Sequence, residues 1–235
     1  MTLRGVVFDW GGTLTPFTQV DLADLWSAAA RVLAPERSVQ LTSALLEVEG
    51  EFWRRVEQDG GRTSATLAEI MATAARRTGL EVEAALQQRA LTAHLEAWTP
   101  HTITEPEAPA LLRALRERGL RVGLLSNTHW PREWHERFLA RDGVLDLIQV
   151  RVYTSELRHT KPHAEAFRAV LEPLGLAASD AVMVGDRPVD DISGARALGM
   201  RTVLRPNGHV PAASVVPDAT IRNLGELLAV IDAWR

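Results

Sequence analysis

At 235 residues, with 46% hydrophobic and 24% charged side chains, the chain has the balance of one large globular domain, or one domain carrying an insertion, which excludes wholesale disorder and collagen-like repeats. A net charge of −4 speaks against a nucleic-acid binder that works by neutralising phosphates, and no apolar run approaches the ~18 residues of a membrane-spanning helix. Cysteine is absent, which excludes a disulfide framework, a thiolate zinc site and a cysteine nucleophile and fits a reducing cytoplasm; Met1 to Asp9 meets an acid too early for a secretory signal.

Gly5-Val6-Val7-Phe8 reads as a short buried strand that ends in the loop Asp9-Trp10-Gly11-Gly12-Thr13, as suits the centre of a parallel sheet. From about Asp21 to Trp98 the apolar residues fall at helical spacing. Leu22, Leu25, Trp26, Ala29 and Val32 form one series; Leu45, Val48, Phe52 and Val56 a second; Leu67, Ile70, Met71 and Ala74 a third. A fourth runs from Val82 through Leu86 and Leu91 to Leu95, and Gly60-Gly61 and Gly79 punctuate the set. Four helices and no strand are expected there.

After Thr99-Pro100 the pattern changes. Pro106 opens an amphipathic helix through Leu111, Leu112 and Leu115 that stops at Gly119, and the strand Val122 to Leu125 follows, ending in Ser126-Asn127. Further strands are expected at Gln149 to Tyr153, Ala181 to Val184 and Thr202 to Leu204, with helices between them, and Arg205 to Pro217 reads as a surface loop. Alternating strands and helices imply right-handed crossovers, hence an α/β fold: a Rossmann-like parallel sheet core with an inserted all-helical domain. The expected division is a discontinuous core of residues 1–16 and 100–235 and a helical insertion of residues 17–99. Hinges are expected near Thr15 to Val20 and Thr99 to Glu105.

Ligands of open α/β sheets bind at the carboxyl ends of the strands. Those ends offer Asp9, then Ser126 and Asn127, then Asp186 followed by Asp190 and Asp191, with Lys161 in Thr160-Lys161-Pro162 between them. Lys161 is the chain's single lysine among 26 basic residues. The set comprises a carboxylate of nucleophile grade, a hydroxyl, a cation and carboxylates able to hold a hard divalent metal. Taken singly, each has a plainer reading as a turn former, a helix cap, a solvated cation or a helix N-terminal acid.

In order and spacing the set resembles the haloacid dehalogenase (HAD) hydrolase superfamily along the whole chain. Val7 to Leu14 resembles its first motif, Asp-x-Asp-Gly-Thr-Leu or -Val; Leu124 to Thr128 the second; Lys161-Pro162 the third; Val184 to Ala195, closing at Leu198-Gly199-Met200, the fourth. The helical insertion is similar to the cap of one major subclass. The resemblance implies Asp9 as the nucleophile that forms an aspartyl-phosphate, and Lys161 as the cation holding Asp9 and phosphoryl group together. It implies Ser126, the Asn127 amide and Lys161 as phosphate-binding groups. It implies Mg²⁺ as cofactor, on Asp9, the Gly11 carbonyl and Asp186, with Asp191 acting through water.

One position departs from the family. Gly11 stands where the general acid/base Asp would be, and glycine neither protonates a departing alkoxide nor activates water. The first reading is therefore a Mg²⁺-dependent phosphatase for a small phosphorylated molecule, with good leaving groups or a proton borrowed from the cap or from His129. Two others stay open: haloacid-type displacement, where halide leaves unprotonated, and a non-catalytic phosphate- and metal-binding module. Phosphonate hydrolysis through a cap lysine is excluded, since residues 17–99 contain none. His129, His135, His159 and His163 read as solvent-exposed, and Trp26, Trp53 and Trp98 as core residues before pocket residues. Trp10, next to the nucleophile, is expected to face the substrate channel or to pack against the cap. Neither nucleic acid nor membrane is expected as a partner, and oligomeric state is not legible.

Overall fold

The structure is a computed structural model, and it describes residues 2–58, 64–211 and 214–234. Six parallel strands, β1 (Gly5–Phe8), β2 (Arg121–Ser126), β3 (Val150–Tyr153), β4 (Ala181–Gly185), β5 (Arg201–Leu204) and β6 (Ala219–Thr220), form one sheet in the order β3-β2-β1-β4-β5-β6. β1 is central, pairing Gly5 with Arg121 on one side and with Ala181 on the other. Its apolar run is explained by burial on both faces: Val6 and Phe8 point into one layer, Val7 into the other.

The first layer also takes Leu111, Leu112 and Leu115 from α5 (Ala108–Glu117), Phe138 and Leu139 from α6 (Arg132–Arg141), and Leu227 and Ile231 from α9 (Leu227–Ala233). The second takes Phe167, Val170, Leu171 and Leu174 from α7 (Ala164–Leu174) and Ala195 from α8 (Gly194–Ala197). The α/β sheet expected from the alternating pattern is what forms. The two-residue β6 is the one strand the pattern did not signal, being too short to show a period.

Among the described residues between β1 and α5 lie four α-helices: α1 (Leu22–Leu33), α2 (Ser38–Gln58), α3 (Leu67–Arg77) and α4 (Ala84–Trp98). α1, α3 and α4 begin close to where the apolar spacing does, whereas α2 begins at Ser38, seven residues before Leu45 opens its series. Asp21 caps α1, and Thr66 with Glu69 forms a reciprocal capping box on α3. Val56's side chain and Gly60-Gly61 fall outside the described residues. α1 packs on α2 and α4, and α2 on α3, around an apolar cluster of their own that includes Trp26, Leu45, Met71 and Leu95. This cluster meets the sheet's layers through Trp130 and Trp134. The chain leaving and re-entering the sheet is stitched together where Glu105 N donates to Leu14 O at 2.8 Å.

Leu45 is fully buried in the cluster of α1–α4. Leu45→Ala should cost about 2–5 kcal/mol, read as a lower urea midpoint at unchanged slope. A midpoint within experimental error of the parent would show that these helices do not share the core described.

Candidate active site

β1 ends with its ladder extended by one bond, Asp9 N to Val184 O at 2.9 Å, so the Asp9 backbone is fixed by the sheet itself. The next residues turn tightly: Thr15 N donates to Trp10 O at 2.9 Å and Gly12 N to Thr15 O at 2.8 Å. Gly12 has φ +81°, and a Cβ there would stand 2.4 Å from Asp186 Oδ2. Gly185 is closed in the same way, its Cβ position lying 2.2 Å from Asp191 Oδ2. At Gly11 a Cβ would meet nothing within 4 Å.

Lys161 is buried, and its ammonium donates to Asp9 Oδ1 at 2.6 Å, Asp191 Oδ1 at 2.7 Å and Leu125 O at 2.8 Å. All three of its N–H donors are thereby used. Burial pulls the lysine's pKa down, but Asp191 and Asp9 outweigh it and hold the group above its ordinary value. Asn127 clamps the same residue by its backbone: its Nδ2 donates to Lys161 O at 3.1 Å and its Oδ1 accepts from Lys161 N at 2.9 Å. Ser126 is buried and lines the cleft beside it.

Both oxygens of Asp191 are engaged, Oδ1 by Lys161 and Oδ2 by Arg187 N at 2.9 Å inside a π-helical turn over Pro188–Ser193. Asp186 differs. Its Oδ2 accepts from Asn207 Nδ2, while its buried Oδ1 has no partner among the described residues. Ligand-capable oxygens of Asp9, Asp186 and Asp191 lie within 4.8 Å of one another, three carboxylates against one ammonium. Burial, together with Asp191, raises Asp9 to about 6 despite Lys161. Burial, with Asp9 and Asp191, raises Asp186 to about 8. A buried excess of negative charge with one unpartnered oxygen fits a hard divalent cation, which takes carboxylate and carbonyl oxygens. Asp190 stands apart, paired with Arg187 at 4.0 Å.

These residues open into a cleft of about 500 Å³ that runs out between the strand ends and α1, α2 and α4. Three readings of the sequence need correction here. His129 is buried: Leu67 N, at the start of α3, donates to its carbonyl at 2.7 Å, which holds the ring against Phe52 and Trp53. Burial lowers its pKa to about 4, so it holds no proton to lend at neutral pH. His135 is buried too, its Nε2 2.9 Å from Thr128 Oγ1, and burial followed by Arg132 lowers it to about 3. His159 and His163 lie with ring centroids 3.9 Å apart beside Glu165, half-buried at the start of α7. Of the tryptophans, Trp26 is core, its Nε1 donating to Glu49 Oε2 at 2.7 Å, but Trp53 and Trp98 line the cleft; helical spacing does not distinguish the two fates. Trp10 both faces the cleft and packs, edge-on to Trp130 at 5.7 Å.

Sequence reasoning also missed the segment after β5. Arg205, read as surface, donates to Thr13 O at 2.6 Å and pairs with Glu105, and Asn207 reaches Asp186. The available signal was Arg205's place immediately after a strand, at the end of the sheet where ligands bind.

A parallel sheet with a nucleophile-grade carboxylate, a buried lysine and an acid cluster at its carboxyl edge defines a class of hydrolase. The haloacid dehalogenase-like hydrolase family model matches residues 3–199, and the chain belongs to that family. It is 36% identical over 127 residues to a phosphoserine phosphatase of Thermus thermophilus, covering 52% of this chain and 49% of that one, so this match spans about half the relative's length. A phosphoglycolate phosphatase of Rhodospirillum rubrum is 29% identical over 88% of this chain and 80% of its own. Among solved structures, a 2-haloacid dehalogenase from Pseudomonas syringae pv. Tomato DC3000 superposes with TM-score 0.68 at 25% identity over the whole of both chains.

Because Asp9 and Asp186 have raised pKa values in the folded protein, protons favour folding: their contribution is greatest below about 4 and is lost as pH rises through about 6 to 8. The metal-free protein should therefore melt lower at pH 8 than at pH 6, by about 2–4 °C for each kcal/mol lost. Calorimetry should find this slope reduced in Asp186→Asn. A slope identical in the variant would remove Asp186 from the account. Asn207→Ala should weaken Mg²⁺ binding in a calorimetric titration by freeing the Asp186 carboxylate to rotate; unchanged affinity would assign Asn207 no role in orienting it.

Proposed function

We propose that the protein is a Mg²⁺-dependent phosphatase of small phosphate monoesters or acyl phosphates, acting through an aspartyl-phosphate on Asp9. The observation that carries the reading is Asp9 at the floor of the cleft, one oxygen held at 2.6 Å by a lysine that has no donor left for anything else. Oδ1 is thereby engaged and Oδ2 is left to attack phosphorus. The Asp9 Oδ–P bond forms as the P–O bond to the leaving group breaks, and water then cleaves the acyl phosphate to return Asp9 and inorganic phosphate.

Asp9, the Gly11 carbonyl and Asp186, with Asp191 through water, would hold Mg²⁺, which when bound offsets the repulsion between carboxylate and phosphoryl oxygens. Ser126 and the Asn127 amide would donate to those oxygens. Asn127's side chain adds a positioning role, since it fixes the Lys161 backbone from both sides. Residues 17–99 would act as a cap: Leu46, Glu49, Gly50 and Trp53, one face of α2, line the cleft above the strand ends, where they exclude water and shape the leaving-group space.

Haloacid displacement draws support from Gly11 and from the likeness to the Pseudomonas dehalogenase. Against it stands the buried acid cluster, whose unpartnered Asp186 oxygen serves a cation and has no task in a metal-free displacement.

With no acid at position 11 and His129 held neutral, rates should depend steeply on leaving-group acidity. Gly11→Asp, entering open space, should raise turnover of alkyl phosphates by a good part of the ~10²–10⁴ that a positioned acid/base supplies. Asp9→Asn should abolish turnover of every phosphate. Steady-state kinetics on acetyl, nitrophenyl and alkyl phosphates, and on 2-haloacids, with and without Mg²⁺, decide the matter. Halide release without metal would replace the phosphatase reading by the dehalogenase one. Phosphate binding without turnover of any ester would leave a binding module.

A further inference from the structure

We infer that the cleft selects aryl monophosphates, binding the ring of a phenol as leaving group against a tryptophan wall. This rests on the phosphatase reading above and specifies its substrate class. Four of the chain's seven tryptophans, Trp10, Trp53, Trp98 and Trp130, line one cleft. They are not scattered around it. Trp10 directly follows the nucleophile, Trp130 lies 5.7 Å from it and Trp98 5.1 Å from Trp130, ring centroid to ring centroid. The rings lead outward from the position of phosphorus to the helical side of the cleft, and Trp53 closes another side against His129 at 4.2 Å. Edge-to-face and offset contacts at such distances are those an added aromatic ring makes.

The charges of the cleft point the same way. Its lysine and its arginine, Lys161 and Arg187, both come from the sheet's end of the site. Among the described residues that line the cleft, the helical side contributes no lysine or arginine; the carboxyl group it brings, Glu49, is held by Trp26 Nε1, and burial raises its pKa. A leaving group bearing a carboxylate or a second phosphate would meet no lysine or arginine among those lining residues, only His101 and Glu49. An uncharged ring meets none of these penalties.

The third observation is chemical and independent of the walls. Position 11 supplies no proton. A phenol ionises near pKa 10, against about 15.7 for water and comparable values for alkyl alcohols. A phenolate therefore departs unprotonated as the P–O bond breaks, its oxygen keeping the bonding electron pair, where an alkoxide needs an acid. The absent carboxyl and the aromatic walls select the same kind of ester.

The test separates ring recognition from leaving-group acidity. Acetyl phosphate is activated but has no ring, so KM for phenyl and naphthyl phosphates should lie at least tenfold below it. In calorimetric titrations of the Asp9→Asn protein with Mg²⁺, phenylphosphonate should bind at least tenfold more tightly than methylphosphonate, and Trp98→Ala and Trp53→Ala should each narrow that ratio severalfold. Acetyl phosphate turnover with equal binding of the two phosphonates would overturn the aryl assignment and leave the phosphatase reading standing. No turnover of acetyl or aryl phosphates would remove the phosphatase reading itself. If alkyl phosphates are hydrolysed as fast as aryl ones and Glu49→Gln abolishes only the alkyl reaction, the cap supplies a proton and the inference fails.

Discussion

The site is organised by one ammonium group. Lys161 Nζ lies within 2.8 Å of Asp9, Asp191 and the Leu125 carbonyl, with almost no solvent exposure. Isolated, such a charge would be expensive to bury, and so would either carboxylate. Together they compensate one another, and removing one partner of such a set typically costs about 3–5 kcal/mol. The consequence is geometric. Asp9 directly follows β1, Leu125 lies in β2, Asp191 follows β4 and Lys161 precedes α7, so one group fixes four segments distant in sequence. A bidentate or planar cation would not serve. An ammonium presents three divergent donors on one atom, and this chain uses arginine at every other basic position.

That compensation is incomplete, and the shortfall is what the site has to offer. Two carboxylates share Lys161, while Asp186, oriented by Asn207, has an oxygen without a partner. Raised pKa values on Asp9 and Asp186 record the same deficit of positive charge. Arg187, which also faces Asp190 at 4.0 Å, relieves Asp9 and Asp186 only in part, and both stay raised. On the proposed reading a divalent cation would supply what the protein leaves out, at the point where a phosphoryl group would bring further negative charge.

The sheet and the acid cluster were legible in the sequence because both are local. Buried strands are short apolar runs, and Asp9, Asn127 and Asp186 each immediately follow one, so strand and function are read there from the same few positions. His129, Trp53, Trp98 and Asn207 were not legible, for a common reason. Their surroundings come from segments far along the chain: α3's first amide draws the His129 loop inward, α2 and α4 turn Trp53 and Trp98 to the cleft, and Asn207 meets Asp186 across a loop. Trp26 and Trp98 have the same periodicity in the sequence. Only the packing of α1 between α2 and α4 buries one and opens the other.

Position 11 differs in kind from the two other glycines of the site. At Gly12 a side chain would collide with Asp186, and the backbone there is left-handed; at Gly185 it would collide with Asp191. Those residues are glycine because the carboxylates stand where a Cβ would be. Around Gly11 there is open space, and the residue is exposed at the cleft. No packing demand explains the missing carboxyl, so its absence has to be read as chemistry. A fourth acid beside three carboxylates and one lysine would deepen an existing charge deficit, and it is worth that cost only where a leaving group must be protonated. On the aryl-ester reading, the aromatic walls and the bare position 11 would be two consequences of one constraint, the nature of the group that departs.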